Sequence, residues 1–222
     1  MPVFNESASV LKVLDQVLAQ RPVQEVIVVD DASTDNTWNQ LQTLAKNPRV
    51  KLFRHDKNLG KGAALRTGFR NVTAPFVIIQ DADLEYDPAE YFILLSPVLD
   101  DVADVVFGSR FSGASAHRVL YYWHSVGNKI LTTLSNMATN INITDMETGY
   151  KLFRREVLQQ FTIEEDRFGV EPEVVAKVSK LNRRIYEVPI SYYGRTYAEG
   201  KKVGWRDGLW AVGCIIKYNF FR

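Results

Sequence analysis

The sequence predicts a single α/β domain built on a Rossmann-like, mostly parallel sheet flanked by helices, and three observations carry that expectation. Short β-branched and aliphatic runs at 25–30, 50–53, 76–79 and 105–107 alternate with segments whose apolar residues recur at helical spacing. Strands separated by helices imply crossover connections, and crossovers make neighbouring strands parallel. The chain has 222 residues, 46% hydrophobic and 24% charged, enough to bury one core of ordinary to large size.

Taken in order, Val10, Leu11, Leu14, Val17 and Leu18 define the first helix, which Arg21 and Pro22 stop. The run 25–30 is continuous and apolar, as in a strand buried on both faces. In the loop 31–36, Asp35 or Asn36 can cap a helix carrying Trp38, Leu41 and Leu44. After the strand 50–53, the stretch Asn58-Leu-Gly-Lys-Gly62 leads into a helix through Ala63, Ala64 and Phe69. The strand 76–79 ends at Gln80, Asp81, Ala82 and Asp83, and Pro88 suits the first turn of a helix reaching residue 99. The strand 105–107 ends at Gly108, Ser109 and Arg110. Helices at 121–139 and 171–181, with strands at 184–188 and 191–193 around Pro189, follow. Residues 1–6 read as a loop, so the first strand of the sheet is expected to be missing from the chain.

Composition removes several functions. Lys and Arg total 27 against 26 Asp and Glu, which leaves no basic field for nucleic acid. A single cysteine, Cys214, excludes a disulfide framework and a cysteine metal cluster. The apolar stretch 208–221 contains Lys217 and Asn219 and is too short to span a bilayer, and no leader opens the chain, so a cytoplasmic protein is expected. His55, His117 and His124 lie in unrelated contexts and no G-x-S-x-G elbow occurs, which argues against hydrolysis.

Polar clusters sit at the carboxyl ends of the strands, where ligands collect in parallel sheets. Asp81 and Asp83 are two apart, so an extended backbone points both carboxylates to one side. Two hard oxygen donors there suit Mg²⁺ or Mn²⁺ bridging to a diphosphate; read alone, the pair is equally an acidic turn ahead of the helix after Pro88. Asp30 and Asp31 can accept hydrogen bonds from a nucleobase or ribose, or serve the turn itself. Asn58-x-Gly-Lys-Gly, with Lys61, is either a phosphate-binding loop at a helix start or a tight strand-to-helix turn.

Together, Pro2-x-Phe4-Asn5-Glu6, Val28-Val-Asp-Asp31-x-Ser33-x-Asp35, Asn58-x-Gly60-Lys61-Gly62 and Asp81-x-Asp83 resemble the family-2 glycosyltransferases of GT-A fold. Gly108-Ser-Arg110 and Thr148-Gly-Tyr-Lys-Leu-Phe153 resemble the branch of dolichol-phosphate mannose and polyprenyl-phosphate glucose synthases. The resemblance implies one catalytic domain over 1–222. Residues 1–110 would form the nucleotide-sugar half, 111–204 the acceptor half and 205–222 an amphipathic C-terminal helix. It implies that Pro2, Phe4, Asn5, Glu6, Asp30, Asp31, Lys61 and Asp81 surround the donor, and that Asp81 and Asp83 hold Mg²⁺ or Mn²⁺. Asp83 and Arg110 would be catalytic, and Arg110, Arg118 and Arg195 would face the acceptor phosphate. Residues 194–202 resemble a segment that closes over both substrates.

The implied reaction is inverting transfer of a hexose from GDP-mannose or UDP-glucose to a polyprenyl phosphate. A phosphate nucleophile is already an anion and needs cations rather than a general base. Implied partners are the donor, the lipid phosphate, a membrane surface met peripherally, and a second copy or a membrane protein; 205–222 is a helix lying in the membrane interface or, equally open, one packed on the core or on a second copy. The alternatives are a hydroxyl acceptor with Glu171 as base, a nucleotide-sugar binding module without turnover, and a sugar nucleotidyltransferase.

Overall fold

The computed structural model describes residues 1–113, 118–119, 121–196 and 204–222. In chain order its elements are β1 (Pro2–Val3), α1 (Val10–Leu18), β2 (Val26–Asp30), α2 (Thr37–Gln42), β3 (Val50–Arg54), α3 (Lys61–Arg70) and β4 (Phe76–Ile78). A 3₁₀ turn at Pro88–Glu90 leads into α4 (Tyr91–Leu99), then β5 (Val105–Ser109), α5 (Tyr122–Thr139) and β6 (Lys151–Arg154). The remainder is α6 (Arg155–Leu158), α7 (Val170–Ser179), β7 (Ile185–Pro189) and α8 (Trp205–Ile216), which ends in a π turn at Lys217–Phe221.

The strands fall into two sheets, β1-β2-β3 and β4-β6-β5-β7. The first is wholly parallel, whereas in the second β6 runs antiparallel to β4 and β5. β5 and β7 are parallel. Alternation along the buried strands builds both faces of the core. Val106 and Leu152 face a cluster with Val13, Leu14, Leu94 and Val98 of α1 and α4. Their neighbours Val105, Phe107 and Phe153 face the opposite cluster, with Leu65 of α3 and Val174 and Val178 of α7.

Three readings of the sequence are corrected here. Residues 1–6 are not all loop: Pro2 and Val3 pair in parallel with Val29 and Asp30 as β1, and the Met1 amine donates to the Ile27 carbonyl at 2.8 Å. The first strand is therefore present as a two-residue element. An apolar cavity of about 170 Å³ lies between the sheets, lined by Met1 and Ile27 from one and Val77 and Ile78 from the other. β6 was missed because it opens on a buried charge, Lys151, whose ammonium donates to the carbonyls of Met146 and Thr148. Residues 191–193 are not a strand, since the Ser191 amide donates to the Glu90 carboxylate and the Tyr193 amide to the Glu85 carbonyl.

Candidate active site at the strand ends

β4 delivers the acidic pair. Gln80, buried beyond its end, accepts from the hydroxyls of Tyr91 (2.6 Å) and Tyr150 (2.8 Å) and donates to the Asp81 carbonyl, which fixes the chain where it leaves the sheet. The Asp81 carboxylate then lies 2.9 Å from the Lys61 ammonium, which stands 3.0 Å from Glu171 on its other side. Asp83 lies 2.6 Å from Arg195, whose Nε also reaches Glu85 at 3.1 Å and whose third nitrogen lies 3.5 Å from Glu6. Arg195 lies 112 positions from Asp83 in the sequence; the fold brings them together.

Burial and the neighbouring carboxylates of Asp81 and Glu85 push Asp83 up to about 7, against the pull of Arg195. Burial would lower the Lys61 ammonium, but Asp81 and Glu171 outweigh it and hold its pKa above the ordinary lysine range. Lys61 and Arg195 are therefore the chain's own counter-cations to a crowded acidic cluster. Among the described residues no three His, Cys, Asp or Glu side chains converge as a self-contained metal cage. The Asp81–Asp83 pair fits instead a hard divalent cation that takes its remaining oxygens from a diphosphate and water.

At the end of β2 the two aspartates part company. Asp30 is fully buried, with Oδ2 3.1 Å from Arg54 Nε and accepting the Ser33 amide, while Oδ1 has no partner in the protein. A buried, unsatisfied carboxylate oxygen is costly unless a ligand donor meets it. Asp31 turns to the protein, accepting the backbone N–H groups of Leu59 (2.9 Å) and Gly60 (2.6 Å). Asn5, with φ +52°, accepts the Thr34 amide and knits the 1–6 and 31–36 loops together. Asp35 caps α2 by accepting the Thr37 amide at 2.9 Å. Pro2 lies in β1 and Phe4 just after it, beside this loop pair.

Arg110 lies at the end of β5, in a bidentate pair with Asp145 at 2.6 and 2.7 Å. Its guanidinium stands 5.0 Å over the Tyr192 ring, and the Tyr192 hydroxyl donates to Glu85 at 2.8 Å, so the Arg110 wall and the acidic cluster share one side chain. Arg118 donates to the Gly194 carbonyl at 3.0 Å. Arg195 belongs to the acidic cluster in this arrangement, while the guanidinium of Arg110 is paired with Asp145. The segment expected to close over the site is described at 194–196; residues 197–202 lie outside the described residues, as does His117.

Sequence reasoning missed Glu85, Asp145 and Glu147. Glu85 extends the Asp81-x-Asp83 spacing by one more step, a signal that was available. Asp145 gave none, because a counter-ion 35 positions away is visible only in three dimensions. Glu147, half-buried, lies near Glu171 and Lys151; desolvation and Glu171 raise its pKa, and burial lowers that of Lys151.

The family described as Glycosyl transferase family 2 matches residues 1–162. The chain is 28% identical over 218 residues to undecaprenyl-phosphate mannosyltransferase of Micrococcus luteus, covering 92% of this chain and 86% of that protein. It is 26% identical over 213 residues to dolichol-phosphate mannosyltransferase of Pyrococcus furiosus, covering 92% and 58%. Among solved structures, glucosyl-3-phosphoglycerate synthase of Mycobacterium tuberculosis, in complex with Mn²⁺, UDP and glucosyl-3-phosphoglycerate, superposes with a TM-score of 0.74. That match covers 98% of this chain and 77% of the other at 19% identity, a likeness of fold.

Proposed function

The chain belongs to glycosyl transferase family 2, and from that premise we propose that it transfers a hexose, with inversion, from a GDP- or UDP-sugar to a polyprenyl phosphate. The carrying observation is the Asp81–Asp83 pair at the end of β4, met by Lys61 and Arg195 and linked to Arg110 through Tyr192 and Glu85. The relatives named as acting on undecaprenyl and dolichol phosphate support the acceptor class.

In this reading Asp30 accepts from the nucleoside through its unpaired oxygen, with Pro2, Phe4, Asn5 and Glu6 shaping the same end. Asp81 and Asp83 would hold Mg²⁺ or Mn²⁺, which would supply Lewis-acid stabilisation of the leaving diphosphate. Lys61 sits where its ammonium can follow the diphosphate. Arg110 is held rigid by Asp145 and, with Arg118, orients the acceptor phosphate by charge-assisted hydrogen bonds. A phosphate oxygen then forms a bond to the anomeric carbon as the bond to the donor diphosphate breaks, and no proton has to be removed. Arg195 pairs with Asp83 in this arrangement and would face the acceptor phosphate once Asp83 held the cation.

A lipid acceptor requires contact with a bilayer. Among the described residues no helix is long and apolar enough to cross a membrane. α8 and the turn after it expose Leu209, Trp210, Ile216, Phe220 and Phe221, a face suited to lying in a membrane surface. A second reading keeps the donor chemistry with a hydroxyl acceptor, favoured by the buried, unpartnered Oε2 of Glu171 beside Lys61.

Radiolabelled GDP-mannose and UDP-glucose, incubated with Mg²⁺ or Mn²⁺ and a polyprenyl phosphate, test the proposal. Label is expected in the solvent-extractable fraction, lost with EDTA and reduced on the order of 100-fold in Asp83→Ala. Label appearing only with hydroxyl acceptors, and lost in Glu171→Gln, would establish the second reading instead.

A further inference from the structure

Asp31 faces the protein, and the one side chain it meets among the described contacts is His55. The chain leaves β3 at Arg54, and the His55 amide donates to the Asp30 carbonyl at 2.9 Å, so His55 is seated against the end of β2. Its side chain is 12% exposed. Nδ1 lies 2.7 Å from Asp31 Oδ1 and Nε2 lies 2.9 Å from the Thr67 hydroxyl, in the second turn of α3. A carboxylate only accepts, so Nδ1 carries a hydrogen and the ring is held by a partner at each end.

What Asp31 does with its other contacts gives the ring its meaning. The same carboxylate takes the N–H groups of Gly60, the N-cap of α3, and of Leu59, the residue before it. Gly60 has φ +102°, and a Cβ there would overlap the Asp166 carbonyl, so the turn has one conformation to adopt and little room around it. The Gly62 amide donates to that carbonyl at 2.8 Å. Lys61 stands between these two glycines and sends its ammonium to Asp81 and Glu171.

We infer that His55 is a positioning residue for the donor end of the site. By holding the Asp31 carboxylate against the Leu59 and Gly60 amides, and α3 through Thr67, it sets where Lys61 meets the donor diphosphate. The inference rests on the reading of Lys61 as a diphosphate contact. Neither His55 nor Thr67 touches substrate in this scheme. An error of about 1 Å at a charged contact costs on the order of 100-fold in rate, so a carboxylate free to rotate would be felt at the donor.

The test compares the whole chain with His55→Ala and His55→Asn. Titration calorimetry with GDP and with UDP in Mg²⁺, donor and acceptor KM, and amide hydrogen exchange at Leu59 and Gly60 are the readouts. His55→Ala is expected to speed exchange at both amides at least tenfold, and to weaken nucleoside diphosphate binding and raise donor KM about tenfold, with acceptor KM unchanged. Asparagine can place an N–H near the Nδ1 position, so His55→Asn is expected to recover most of the donor KM without the Thr67 contact. A general loss of folding would instead lower the active fraction and leave both KM values alone. Unchanged exchange, an unchanged donor KM in His55→Ala, or an asparagine variant no better than alanine overturns the inference. Failure of the wild type to bind either nucleoside diphosphate overturns the donor-site reading, and the inference with it.

Discussion

Arg110, its side chain 16% exposed, pairs among the described residues with Asp145, whose side chain is wholly inaccessible. Burial would raise the Asp145 carboxyl, but Arg110 outweighs it and holds the group ionised below its usual range. Removing one partner of such a pair leaves the other charge in a low-dielectric site, which costs more than the pair contributes. Asp145→Ala is therefore expected to destabilise the fold by about 3–5 kcal/mol, read by denaturant unfolding. It should also raise acceptor KM while leaving donor KM close to wild type, because Arg110 loses its orientation and Lys61 does not.

At the level of elements, the start of β2 is tied to the start of β4 by Glu25. Its carboxylate accepts from Lys51 at 2.6 Å, from the Thr73 amide at 2.6 Å and from the Ala74 amide at 3.0 Å. Burial alone would raise the Glu25 pKa, yet these donors together bring it down to about 2 from an ordinary 4.5. A group with a depressed folded-state pKa stabilises the protein above its unfolded pKa and loses that contribution as pH falls towards the folded one. The stability difference between wild type and Glu25→Gln is expected to be full above pH 4.5, at about 1 kcal/mol for a solvent-screened carboxylate, and to vanish near pH 2. Denaturant midpoints measured across that range check the sign. The tie also joins two elements flanking the cavity between the sheets, since Glu25, Ala74 and Phe76 all line it.

Across the whole molecule, one end gathers the chemistry and a helical side presents apolar surface. α8 packs against α5 and α7, and Glu165 holds it by accepting from Trp210, Lys217 and Tyr218. Outward of that contact, Leu209 is 65% exposed and Phe220 68%. If this face meets lipid, the double variant Leu209→Glu, Phe220→Glu should bind anionic phospholipid vesicles at least about tenfold more weakly, since each buried side chain of that size contributes about 1.5–3 kcal/mol. Its rate on a short-chain, water-soluble acceptor phosphate should stay at the wild-type level. Vesicle sedimentation of wild type and variant in equal amounts would assign the face to another contact.

The α/β alternation, the buried strands at 26–30, 76–78 and 105–109, and the acidic pair after β4 were legible in the chain, because hydrophobic period and strand-end polarity are local properties. The family was legible too, since its motifs are short runs in a fixed order. Tertiary structure alone decided the rest. It divided the strands between two sheets, built β6 around a charged residue whose partners are carbonyls in a preceding loop, and paired Arg110 with Asp145. It turned Asp31 inward to His55 while leaving an oxygen of Asp30 unpartnered. Adjacent aspartates in an extended backbone point to opposite sides, and only the packed neighbours determine which side is a loop and which is a site. Periodicity records which residues must leave water; which charge meets which is fixed by distances the chain closes only when it folds.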